Sequence, residues 1–167
     1  MTYVYAAGPS GFTAAGLAFH TGVVLPALVD AGAVPLDPWD PTAPETLVLA
    51  AATGAQLAPA LDAVCRRNTV LIDGADAVLA VLDGADVDSG TAAEIGYAYA
   101  RGLPVVGIRL DLRTTGDPGS TVNGQVEHFI TASGGSLHSC PPAELADPRP
   151  FLDRTVAVLL ASVSAPR

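Results

Sequence analysis

The chain has 167 residues, half of them hydrophobic, and a formal net charge of −9 at pH 7. That length suits one domain, residues 1–167, with a sizeable core. So acidic a chain does not suit nucleic acid, whose phosphates need a basic face, nor an anionic membrane surface.

The opening MTYVYAAGPS lacks the basic and long apolar segments of a signal peptide. No apolar run reaches membrane-spanning length, so a cytoplasmic location is expected. Within that opening, TYVYAA reads as a first strand and AGPSGF as the turn leaving it. A helix over AAGLAFHTGVVLPALVDAG and a strand AVPLD follow. The stretch from Thr46 to Ala75 reads as helical, with a break near Gly54 or Pro59. Next come a strand AVLAVLDG, a helix GTAAEIGYAYARG and a strand PVVGIRLD. After a polar loop, QVEHFITASGG, SLHSC and a last helix ELADPRPFLDRTVAVLLASV complete the order. Cys65 and Cys140 have neither CxxC nor metal spacing and are expected to be buried free thiols.

Continuously apolar strands separated by helices imply a parallel sheet covered on both faces. Five of them fit a doubly wound, flavodoxin-like α/β domain with strand order 2-1-3-4-5. Ligands of such sheets bind beyond the carboxyl ends of the strands, near the switch point. The loops expected there are AGPSGF, PLDPWD, DGADVDSGT and LDLRTTGDPGSTVNG.

These loops hold the candidate chemistry. Gly8 and Gly11 let backbone approach a ligand, with Phe12 beside them, although a tight strand-to-helix turn explains the glycines equally well. Tyr5, near the end of the first strand, is either a core tyrosine or a hydroxyl pointed across the rim. Asp37, Trp39 and Asp40 stand on a proline-stiffened loop, where an aromatic ring suits a planar ligand. Thr91-Ala-Ala-Glu94 matches a capping box, in which each side chain satisfies a helix-terminal N–H. Yet Asp83, Asp86, Asp88 and Glu94 crowd one strand end, and like charges so close need compensation. A helix N-terminus favours an ionised Glu94, the form a carboxylate nucleophile requires. His20, His128 and His138 show no triad or metal spacing and receive no role.

The segments YVYAAGPSGF, NTVLIDGADAVLAVLDGADVDSGTAAEIGYAYARGLPVVGI and VNGQVEHF together resemble the nucleoside 2-deoxyribosyltransferases over most of residues 3 to 130. The most specific part is D-x-G-T-x-x-E-[IV]-G, from Asp88 to Gly96. The resemblance implies a flavodoxin-like fold and a homo-oligomer whose neighbouring subunits complete each other's sites. It implies that Glu94 attacks C1′ of a 2′-deoxynucleoside, that Tyr5 holds Glu94 in line, and that Asp88 contacts the 5′-hydroxyl. Asn123 matches an asparagine that an adjacent subunit supplies toward that hydroxyl, and Gln125 stands where some members have methionine. At Asn68 some members carry an aspartate that helps protonate the departing base. An amide cannot do so, which leaves other members' asparagine solution, Asp40 or a water as the source. Gly8, Phe12, Trp39 and Asp40 complete the expected substrate contacts. Asp76 reads as structural. The two-step route needs no metal or organic cofactor.

The implied partners are 2′-deoxynucleosides and free nucleobases. Related N-glycosidases that act on 5′-monophosphates carry serine at the position of Asp88, so a nucleoside or nucleotide hydrolase is the nearest competing reading. GTAAE also echoes the phosphoribohydrolase motif P-G-G-x-G-T-x-x-E, but its paired glycines and preceding proline are missing. A flavodoxin-like sensor that binds without turnover is the third.

Overall fold

The computed structural model describes residues 1–164; residues 165–167, the end of the expected domain, lie outside the described residues. Five strands form one all-parallel sheet in the order β2-β1-β3-β4-β5: β1 (Thr2–Ala7), β2 (Ala33–Leu36), β3 (Ala77–Val81), β4 (Val105–Arg109) and β5 (Ser136–Ser139). The strand order reverses between β1 and β3, which pair with Tyr5 opposite Val78 and Ala7 opposite Ala80. This is the expected doubly wound order. It opens a crevice beyond the carboxyl ends of those two strands.

Every residue of β3 and β4 is buried, as strands covered on both faces must be. Alternate side chains enter opposite layers. Val4, Ala6, Leu79, Val81, Val106 and Ile108 pack with α2 (Leu25–Asp30) and α7 (Arg149–Ser164). Tyr5, Ala7, Val78, Ala80 and Val105 pack on the other side, with α4 (Leu57–Asp73), α5 (Ser89–Ala100) and α6 (Gly124–Ala132). The period of two thus turns Tyr5 toward α5. Asp76 joins β1 to the start of β3, accepting the Tyr3 N–H at 2.8 Å.

Two helical expectations need correction, while the break expected near Gly54 or Pro59 is found at Gly54. The helix after β1 is not uniform: α1 (Ala14–Phe19) passes into α2 through a π-helical turn, His20–Val24. Pro26 has no N–H to donate to the carbonyl four residues back, and the Leu25 N–H reaches the His20 carbonyl instead. The break in the middle stretch falls between α3 (Pro44–Ala51) and α4, where Gly54 adopts φ +54° in a short 3-10 turn. A capping box between Thr53 and Gln56 starts the chain back into helix. The last helix begins at Arg149, not at Glu144, because Pro148 lacks the N–H that a helix running through it would need.

Gly8 ends β1 with φ +152°, and a Cβ there would stand 2.9 Å from Val81 Cβ. Gly8→Ala should therefore lower unfolding free energy by about 1–3 kcal/mol, read from urea denaturation. A loss under about 0.5 kcal/mol, within the range of neutral surface changes, would show that the β1–β3 junction tolerates a side chain.

Candidate active site

The crevice holds a cavity of about 360 Å³ with Gly8, Trp39, Asn68, Asp88 and Glu94 in its wall. Its acidic side is built by α5. Asp88 caps that helix, its Oδ2 accepting the Thr91 N–H at 2.9 Å and the Thr91 hydroxyl at 3.2 Å. Because Asp88 serves the cap, Thr91 is not the N-cap and the Thr91–Glu94 capping box does not form. Glu94 lies beyond the first turn, where the helix dipole has faded. Its Oε1 accepts the Tyr5 hydroxyl at 2.6 Å. Its Oε2 has no protein hydrogen bond among the described residues.

Burial decides the electrostatics of this pair. It pushes the Glu94 carboxyl from its ordinary 4.5 up to about 7, against the Tyr5 hydrogen bond, which favours the anion; the charge of Asp88 raises it further. The expectation that the helix terminus would keep Glu94 fully ionised thus gives way to desolvation. Tyr5 is fully buried, and its phenol is pushed far above its ordinary value by burial and then by Glu94. It stays a hydrogen-bond donor.

The four-carboxylate crowd is resolved by geometry. Asp83 turns to β4 and accepts the N–H groups of Leu110 and Asp111, while Asp86 accepts the N–H of Val87. Buried Arg109 donates to the carbonyls of Leu82, Gly84 and Arg113, fixing the turn that delivers Asp88. Only Asp88 and Glu94 line the cavity.

The opposite wall comes from the loop after β2 and from α4. The Trp39 indole donates to the Gly8 carbonyl at 3.0 Å and meets Phe12 edge-on, with ring centroids 4.8 Å apart. A Cβ on Gly11 would lie 2.0 Å from the indole, so Gly11 makes room for Trp39 rather than for a ligand. On α4, Leu61, Val64, Cys65 and Asn68 follow the i, i+3, i+4, i+7 spacing of one helix face and all line the cavity. Cys65 is exposed here, contrary to expectation, because it sits on that open face; Cys140 is buried, and both thiols are free. The Asn68 side-chain oxygen is buried without a hydrogen-bond partner.

Three sequence candidates stand apart from the cavity. Asp40 is engaged by Thr42, whose hydroxyl and N–H hold its carboxyl below the ordinary value. Asn123 caps α6, accepting the N–H groups of Gln125 and Val126, and both Asn123 and Gln125 are exposed. Arg67 was missed by sequence reasoning. It donates to the carbonyls of Asp37 and Pro38 and so pins the Trp39 loop to α4. The signal for it was present, since Arg67 precedes Asn68 on the helix whose apolar stripe forms the wall.

The family model for nucleoside 2-deoxyribosyltransferases matches residues 4–133. The chain belongs to this family. No curated protein matches it by sequence. Among solved structures, a 2-deoxyribosyltransferase from the psychrotolerant bacterium Bacillus psychrosaccharolyticus aligns at 22% identity and TM-score 0.58, covering 77% of this chain and 82% of that one. A 2-deoxyribosyltransferase from Leishmania mexicana aligns at 24% identity and TM-score 0.54 over 100% of both chains. A CMP N-glycosidase from Clostridium botulinum aligns at 15% identity and TM-score 0.55, covering 92% of this chain and 99% of that one. At these identities the likenesses carry the deoxyribosyltransferase fold. Among the described residues, no helix is long and apolar enough to cross a membrane. Nor does any group of three or more His, Cys, Asp or Glu side chains converge on a metal position.

Proposed function

We propose that this protein transfers the 2-deoxyribosyl group from one nucleobase to another through Glu94. The observation that carries the reading is the half-buried Glu94 carboxyl. It is gripped at one oxygen by Tyr5 and lines, beside Asp88, a cavity large enough for a nucleoside. In the first step the free oxygen of Glu94 bonds to C1′. The C1′–N bond breaks with its electron pair moving to the base, which takes a proton from water. In the second, a ring nitrogen of an incoming base attacks C1′, its proton passes to the hydroxide left by the first step to restore water, and the carboxylate leaves. Two inversions give net retention, as in retaining glycosidases.

Asp88 accepts the 5′-hydroxyl in this reading, with Trp39, Phe12 and Gly8 against the base and sugar. Asn68, in the cavity wall, is the amide beside the base in this reading. Being an amide, it has no proton to transfer, and Asp40 is held ionised by Thr42, so water is the proton source. Asn123 and Gln125 stand exposed on α6; the reading has them meet the 5′ end of the sugar in a neighbouring subunit of a homo-oligomer acting in nucleoside salvage in the cytoplasm.

The direct test is incubation with 2′-deoxyinosine and free adenine, followed by liquid chromatography. Formation of 2′-deoxyadenosine supports the proposal, and its absence across a panel of donors and acceptors sinks it. The likeness to a CMP N-glycosidase gives the hydrolytic reading a second arm: steady release of base and free sugar with no acceptor present would replace transfer by hydrolysis.

Asp88 and Glu94 line the cavity, and no arginine does so among the described residues, so a 5′-phosphate is disfavoured there. The enzyme should prefer a deoxynucleoside over its 5′-monophosphate. Asp88→Ser should narrow that preference by about tenfold or more as one like charge goes. Serine keeps the helix cap, so stability should change little. An unchanged preference ratio would remove Asp88 from the 5′ position.

A further inference from the structure

Of the charged or titratable groups near the cavity, the pair of buried His20 and half-buried Asp37 has no part in the chemistry proposed above. His20 is 1% exposed and stands at the start of the π-helical turn, a local irregularity that recurs at functional sites. Its Nε2 donates to Asp37 Oδ1 at 2.8 Å, and the same oxygen accepts the backbone N–H of Trp39 at 2.8 Å. The Trp39 indole in turn spans to the Gly8 carbonyl at the cavity wall. One carboxylate oxygen therefore couples an internal histidine to the ring that faces the ligand.

We propose that His20 is a positioning residue that fixes Trp39 as the aromatic wall of the base pocket. The assignment rests on reading the cavity as a nucleoside site. Arg67 also holds this loop, but through the carbonyls of Asp37 and Pro38. The side chain that sets the direction of the Trp39 N–H is Asp37, and the side chain that sets Asp37 is His20. Without the imidazole, Asp37 keeps only backbone company at Oδ1 and turns toward solvent, and the indole loses its fixed pose. The effect should fall on binding, because a wall contact acts alike on substrate and transition state.

The chain has a single tryptophan, so its fluorescence reports Trp39 alone. His20→Leu should red-shift the emission and steepen quenching by acrylamide in the protein without substrate. It should also raise KM for 2′-deoxynucleosides by about three- to tenfold while changing kcat little, the scale of one aromatic contact. His20→Gln, whose amide still donates to Asp37, should restore both readouts. If His20→Leu does not fold, His20→Asn takes its place. Its amide is too short to reach Asp37, so Asn should behave as lost and Gln as retained. Emission and quenching identical to the unmodified protein in the non-donating variant would overturn the proposal, as would equal behaviour of Gln and Asn. Absence of base exchange in the unmodified protein would sink the function proposed above. The emission result needs no substrate and would then decide the role of His20 separately.

Discussion

Glu94→Gln is expected to abolish base exchange, by at least about 10³-fold, and to leave a protein harder to unfold at pH 8. The loss follows because an amide cannot take the place of the carboxylate nucleophile. The gain follows from the environment of the side chain. Burial raises the Glu94 carboxyl to about 7 in the folded protein, against 4.5 ordinarily, so between those values the unfolded chain ionises first. Stability drops as pH climbs through that window, and the penalty is complete above it. The difference of about 2.5 pH units corresponds to about 3 kcal/mol. Glutamine keeps an oxygen for the Tyr5 hydroxyl and carries no charge. Urea unfolding should show the variant level with the unmodified protein near pH 4 and more stable at pH 8. An exchange-competent variant would strip Glu94 of the nucleophile role. Equal stability at both pH values would mean that the carboxyl is better solvated than its surroundings indicate.

Tyr5→Phe should move the pH profile rather than erase activity. The Tyr5 hydroxyl stabilises the Glu94 anion at 2.6 Å. A hydrogen bond to a charged group contributes about 1.5–3 kcal/mol, and its loss favours the protonated carboxyl. For the unmodified enzyme, kcat/KM should rise with pH through about 7 as Glu94 ionises. In Tyr5→Phe that limb should lie about one to two pH units higher, with activity at pH 7 down by about 5- to 50-fold. Much of the loss should return near pH 9. The phenyl ring still fills the fully buried position, so the sheet should be undisturbed. A limb that stays at pH 7 would uncouple the two residues.

The fold was legible because its inner strands are apolar runs of the right length, as in AVLAVLDG, and the doubly wound order follows from the alternation of strands with helices. The cavity was legible in part. Gly8, Phe12, Trp39, Asn68, Asp88 and Glu94 surround it, drawn from four loops and helices that parallel topology brings to one rim. What a sequence pattern could not decide was competition. Thr53…Gln56 and Thr91…Glu94 both match a capping box, but only the first forms one. At the second, Asp88 stands one turn earlier and caps the helix, and Tyr5, far away in the chain, claims the glutamate. The reach of Thr42 toward Asp40, the open face under Cys65 and the hold of Arg67 on two carbonyls depend likewise on where side chains end up in space.

The separation of 89 positions from Tyr5 to Glu94 has a kinetic meaning. The two meet only after β1 has docked beside β3, a non-local event that chain-closure entropy makes slow. An unfinished polypeptide, however helical, therefore lacks the Tyr5-held Glu94 carboxyl that the proposed transfer uses. During renaturation, enzymatic competence should reappear after the circular-dichroism signal, when the middle of the sheet has zipped shut.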